Sequence, residues 1–166
     1  MKKLTWIIGA VFSLLIMVFV CLMLSLGNKT INPLTTVDVC EVLKSQGYQP
    51  VNCTDSALAA NPGWDLKGCI KVDNGEFEFE FYEFENESSA VGIYGSAYRH
   101  IRTNKMATPK RETEARASNY RMYWLEAGEN YAISMYVGTT AVYAFCNKDY
   151  AAKLDAILFE MGYCDR

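Results

Sequence analysis

The chain reads as a membrane-anchored α+β protein: an N-terminal transmembrane helix, then a two-layer domain of antiparallel sheet with helices on one face. Three observations predict this. Leu4 to Leu26 is an uncharged apolar stretch of 23 residues, long enough to cross a bilayer. Beyond it, strand-like segments with period-two alternation are joined by short Asn/Gly turns. Those strands come in runs, each closed by an amphipathic helical segment, which is the pattern of an α+β rather than an α/β domain.

The anchor comes first. At 1.5 Å rise per residue, Leu4–Leu26 spans about 35 Å against a hydrocarbon core of about 30 Å. Lys2 and Lys3 precede it, Lys29 alone follows closely, and Trp6 stands where an interfacial aromatic belongs. The positive-inside bias then places the N-terminus in the cytoplasm and the residues after 27 outside. The alternative is a cleaved signal peptide and a secreted product. Such a peptide has an apolar region of about 7–15 residues and a small-x-small cleavage site; here the region is longer, and Ser25-Leu26-Gly27 is the nearest approximation. Lipid attachment at Cys21 is opposed by the branched Val20 before it and by the apolar residues after it. The domain layout is an anchor over 1–27, a linker over 28–34 and an extracytoplasmic α+β domain over 35–166.

Within that domain, Thr35 or Thr36 caps a helix of about twelve residues whose stripe is Val37, Cys40 and Leu43, and Gly47 stops it. Tyr48–Cys53 is a short strand that Pro50 pushes to a sheet edge, and Asn61-Pro62-Gly63 is a turn. Leu66–Val72 and Glu76–Tyr82 form a hairpin around Asp73-Asn74-Gly75, with Asn-Gly supplying positive φ angles. The second arm alternates Glu76, Glu78, Glu80 with Phe77, Phe79, Phe81, so three rings face a core and three carboxylates face away. Asn86 caps a helix to about Arg102, and a polar loop covers Thr103–Glu112. Strands follow at 118–126, with Tyr120, Met122 and Trp124 on one face, then at 131–137 and 140–146. Asn147 or Lys148 opens a last helix through Met161. Strand-strand-strand-helix thus occurs twice, and Tyr82, Phe84 and Asn86 align with Tyr143, Phe145 and Asn147, which suggests a repeat.

Marks of catalysis are few. The one histidine, His100, lies between Arg99 and Arg102, an environment that disfavours an imidazolium and supplies no orienting carboxylate. The cysteines lack C-x-x-C spacing, and no phosphate-binding, dinucleotide-binding or nucleophile-elbow motif is present. The acidic run Glu76, Glu78, Glu80, Glu83, Glu85, Glu87 is the solvated face of a strand, poorer in geometry than a calcium loop. No catalytic, cofactor or metal site is therefore expected. Asn28, Asn52 and Asn86 lie in N-x-S/T triplets, but a helix cap accounts for Asn86.

Composition adds the rest. With 166 residues, 51% of them hydrophobic, and a net charge of −3, the chain is neither disordered nor a generic nucleic-acid binder. Charge is segregated. Residues 28–98 hold four bases against eleven acids, whereas 99–121 hold Arg99, Arg102, Lys105, Lys110, Arg111, Arg116 and Arg121 against Glu112 and Glu114. Beside a membrane, such a patch suits an anionic envelope polymer or lipid headgroups, or a protein partner. Five cysteines follow the anchor. Cys146 and Cys164 flank a helix and cannot pair unless Cys164 folds back, whereas Cys53 and Cys69 meet if their strands are antiparallel neighbours. The expected function is a single-pass membrane protein with a non-catalytic binding, sensory or structural domain outside; the alternative is an envelope enzyme using carboxylates or a thiol.

Overall fold

The computed structural model of the protein describes residues 30–103 and 111–164. The expected membrane segment, 4–26, lies outside the described residues. Among the described residues no helix is long and apolar enough to cross a membrane. The elements run α1 (Thr36–Ser45), β1 (Val51–Asn52), α2 (Thr54–Ala60), β2 (Leu66–Asp73), β3 (Phe77–Phe84), α3 (Glu87–Thr103), β4 (Arg111–Ala117), β5 (Tyr120–Ala127), β6 (Asn130–Val137), β7 (Thr140–Asn147), a 3₁₀ turn (Lys148–Tyr150) and α4 (Ala151–Glu160). The strands make one antiparallel sheet in the order β1-β2-β3-β7-β6-β5-β4.

Local chemistry sets the element ends. Thr35 caps α1 in a reciprocal capping box with Asp38, which satisfies two otherwise orphaned N–H groups. The buried stripe of α1 is Val39 and Leu43, one turn apart, with Cys40 packed beside it and Val37 exposed; the expected Val37-Cys40-Leu43 stripe is turned by about a quarter turn. In the β2–β3 hairpin only Gly75 has positive φ (+80°). Asn74 acts instead through its side chain, accepting from the backbone N–H of Glu76 and Phe77 at 3.0 and 3.1 Å, as Asx turns do.

The alternation of β3 points Phe77, Phe79 and Phe81 into the main core, with Ile70 and Val72 of β2, Ile133 and Met135 of β6 and Val142 of β7. Helices α1 and α4 close this face with Val39, Leu43, Leu154, Ile157 and Leu158. The other face is also covered. Tyr94 and Ile101 of α3 pack on Tyr123, Leu125 and Ala132, and Ala90 packs with Leu66, Cys69, Phe84 and Ala141. The domain is therefore α+β but not two-layered: helices lie on both faces of the sheet. The reason is visible in β6 and β7, where small residues (Ala132, Ser134, Ala141) stand opposite the large ones and let α3 approach closely. Ser134 is fully buried and donates to Tyr94 O at 3.1 Å, so even the polar residue of that row is taken up.

The repeat is also corrected. β1-β2-β3 and β5-β6-β7 do meet at β3 and β7, but α3 and α4 leave to opposite faces, and α2 and β4 have no counterpart. One rotation does not relate the halves. β4 occupies ground read as loop and unassigned residues, and α2 forms where no element was expected.

The chain is tied to the sheet from Ile31, ahead of the expected boundary at Thr35. Ile31 exchanges two hydrogen bonds with the Asn119 side chain, at 3.2 and 2.7 Å. Tyr163, buried, accepts from Leu34 N at 2.9 Å and bonds the Thr140 hydroxyl at 2.9 Å, fixing both ends of the domain to β7. At Gly68 a side chain has no room, because a Cβ there falls 2.5 Å from Thr36 Oγ1. That hydroxyl is held by Glu83 at 2.7 Å.

Candidate functional site

The positive charge concentrated between residues 99 and 121 is distributed by α3 and the β4–β5 hairpin. α3 is opened by Asn86, whose Oδ1 accepts from Ser89 N at 3.1 Å. Its buried side carries Tyr94, with Tyr98 one turn on. Tyr94 stacks on Tyr98 with centroids 5.9 Å apart and meets Tyr136 edge-on at 5.6 Å; Tyr98 meets Tyr123 of β5 edge-on at 4.7 Å. Four tyrosines thus form a strip between α3 and strands β5 and β6.

Three arginines rim the strip. Arg102 donates to the Tyr98 hydroxyl at 2.7 Å. Arg116 and Arg121, from β4 and β5, both turn to Glu114, at 2.8 and 3.5 Å. Glu112 accepts from the Tyr123 hydroxyl, whose pKa is pushed up to about 12 by burial first and by this carboxylate second. Burial, then Glu114, raises Tyr94 as well. Both phenols therefore stay neutral near pH 7, with the Tyr123 proton committed to Glu112.

The structure divides the seven predicted basic residues. Arg102, Arg116 and Arg121 gather at the strip. Arg99 is exposed on α3, where it bonds Ser96 Oγ at 3.3 Å. Arg111 goes to the other face of the sheet, because strand alternation separates odd from even positions; its guanidinium lies 5.4 Å from the Trp124 ring centre. Lys105 and Lys110 lie outside the described residues.

On that other face, α4 and strands β4 to β6 border a groove of about 800 Å³, floored by Met122, Trp124 and Tyr131 and walled by Ala152, Asp155 and Ala156. Sequence reasoning missed it, since its residues come from three separate stretches of chain. Its polar groups are engaged: Tyr131 donates to Asp155 across it at 2.7 Å, and Lys148 is drawn to Glu129 outside it at 2.7 Å. Acids (Glu126, Asp149, Asp155) outnumber bases (Arg111, Lys148) along it. The strip, not the groove, carries the excess of positive charge.

The glutamate row serves the fold. Lys71 pairs with Glu78 and, at 3.5 Å, with Glu80, and the Tyr82 hydroxyl donates to Glu80 at 2.7 Å. Glu83 accepts from Thr36 N at 2.8 Å, and Glu76 pairs with Lys153 at 2.6 Å. Among the described residues no group of three or more His, Cys, Asp or Glu could hold a metal ion. His100 is exposed, with its ring 6.4 Å from that of Tyr143.

Cys53 and Cys69 form a disulfide with Cα atoms 5.1 Å apart. Cys40, Cys146 and Cys164 are thiols. After α4 the chain turns at Gly162 (φ +71°), so that Cys164 Sγ lies 3.8 Å from Asp155 O: the chain does fold back along the helix. Burial, then Asp155, pushes the Cys146 thiol up to about 11, which leaves little nucleophilic thiolate at pH 7. No protein-family model, curated protein or solved structure matches the chain.

Proposed function

We propose that this is a single-pass membrane protein, anchored through residues 4–26 with its N-terminus in the cytoplasm, whose outer domain is a non-catalytic module that binds an anionic envelope polymer. The observation that carries the reading is the tyrosine strip rimmed by Arg102, Arg116 and Arg121 against only Glu112 and Glu114. Arginine forks match phosphate and carboxylate oxygens in pairs. Tyr94 and Tyr123 are buried and pack α3 onto the sheet, and the half-buried Tyr98 and Tyr136 offer flat contact area at small entropic cost. The enzyme alternative is disfavoured by the carboxylates of β3, which are engaged by Lys71, Tyr82 and Thr36, and by the high pKa of Cys146.

The strip is tested with the full chain in detergent micelles and long-chain polyphosphate as the probe, read by fluorescence polarisation. Binding should weaken steeply from 50 to 200 mM salt, and the double variant Arg102→Glu, Arg116→Glu should lose roughly tenfold or more in affinity, since two attractive contacts become repulsive. Equal binding by the variant and the unaltered chain would defeat the reading. The anchor has its own test. A reporter active only outside the cytoplasm, fused after Arg166, should be active, and the chain should stay with membranes through a high-salt wash. Recovery of a soluble, N-terminally trimmed chain would replace the anchor with a cleaved signal.

A further inference from the structure

The two edges of the sheet are unequal. β1 is two residues long and offers almost nothing to pair with, whereas β4 is a seven-residue strand with β5 on its inner side and no described strand on its outer side. The two-residue turn Ser118–Asn119 sets Ala117 opposite Tyr120, and the pair flanking such a turn exchanges both backbone hydrogen bonds. Alternation then directs the N–H and C=O groups of Glu112, Glu114 and Arg116 off the edge. The β5–β6 hairpin obeys the same parity, with Ala127 opposite Asn130 across Gly128–Glu129.

We propose that this edge pairs with the β4 edge of a second copy of the chain, antiparallel and centred on Ala115. The residue pattern selects that register. Only registers that set even-numbered residues opposite one another match the free backbone groups. Centred on Thr113, Glu112 would face Glu114 of the partner subunit; centred on Glu114 or on Arg116, that residue would face its own charge. Centred on Ala115, Glu114 faces Arg116 of the partner subunit, twice by symmetry, and no like charges are opposed. The two Ala115 residues form the non-hydrogen-bonded pair on the dyad, where Cα atoms approach to about 4.5 Å and a small side chain is needed. The arrangement is isologous and closed, so it ends at a dimer. It also joins two uncovered half-faces, since Met122 and Trp124 beside β4 are only half-buried. Charges along the same edge discourage partners that lack the complementary pattern.

Cross-linking of the full chain in micelles, without any polyanion, tests this independently of the binding reading. Under mild oxidation Ala115→Cys should give at least about tenfold more covalent dimer than Thr113→Cys or Ala117→Cys alone, because only a directly opposed pair meets disulfide geometry. Mixing the Thr113→Cys and Ala117→Cys chains should restore the product, since these positions oppose each other in this register. Adding Arg116→Glu to Ala115→Cys should lower its dimer by about tenfold, and further addition of Glu114→Arg should recover it. Equal yields at 113, 115 and 117, or no dimer above the unaltered chain with its native thiols, would overturn the proposal.

Discussion

Replacing Phe79 with alanine is expected to cost about 3–5 kcal/mol of unfolding free energy, as large an effect as any single core truncation here. Phe79 is fully buried at the middle of β3, between Val72 of β2 and Ala144 of β7. Its ring fills space that Ala144 leaves open, and the cluster around it includes Val39 and Leu43 from α1 and Leu154 and Ile157 from α4. Helices on both flanks of the cavity are held by their own contacts, so collapse into the void would be incomplete, and the cavity adds to the lost transfer energy. Urea unfolding of the full chain followed by tryptophan fluorescence measures it, with Phe79→Leu as a milder partner expected to cost about 1–2 kcal/mol. A Phe79→Ala cost below about 1 kcal/mol would mean that the sheet centre is not the close-packed core described.

Much of this core is legible in the chain. Three phenylalanines at alternate positions fix one face of β3, and glycines at 75, 128 and 138 mark hairpin turns where the structure has positive φ. Caps at Thr35, Asn86 and Asn147 likewise fall at the starts of α1, α3 and the 3₁₀ turn that leads into α4. The second covered face is not legible, because alanine and serine on β6 and β7 do not advertise burial, while glutamates on β3 advertise solvent. Ion pairing with Lys71 lets Glu80 sit largely covered in spite of its charge. β4 escapes detection for a different reason. Its sequence, Arg-Glu-Thr-Glu-Ala-Arg-Ala, has no apolar alternation, since an edge strand exposed on most positions needs none. That omission carries over to the site. The basic cluster is plain from the charge count, but its division is not: once β4 is a strand, Arg111 and Arg116, five apart, must face opposite ways.

Reducing the Cys53–Cys69 disulfide is expected to lower stability by about 3 kcal/mol on the loop-entropy account for a 16-residue step, and to do so unevenly. The loop it closes contains α2, a seven-residue helix with no buried residue, far shorter than the roughly 12–15 residues at which isolated helices become even marginal in water. What holds this corner, besides the bridge, is the bond from Cys53 N to Cys69 O at 2.9 Å, the bond from Cys69 N to Thr54 Oγ1 at 2.9 Å, and two β1–β2 register pairs. Cys69 is buried against Leu66, Phe84 and Ala90 and stays in place without its partner, whereas Cys53 and the helix after it have in addition only the partly buried packing of Cys53, Ala57 and Leu58 on that cluster. Among the described residues no other disulfide exists to be reduced, so a thiol reductant acts here on one bond. In reductant, amide exchange should quicken first across Thr54–Ala60 and Val51–Asn52, while β6 and β7 keep the protection of the global fold. Cys53→Ala, Cys69→Ala should reproduce the lower midpoint without reductant. Identical denaturation midpoints for the oxidised and reduced chains, or uniform acceleration of exchange through β6 and β7, would show that the bridge does not hold this edge.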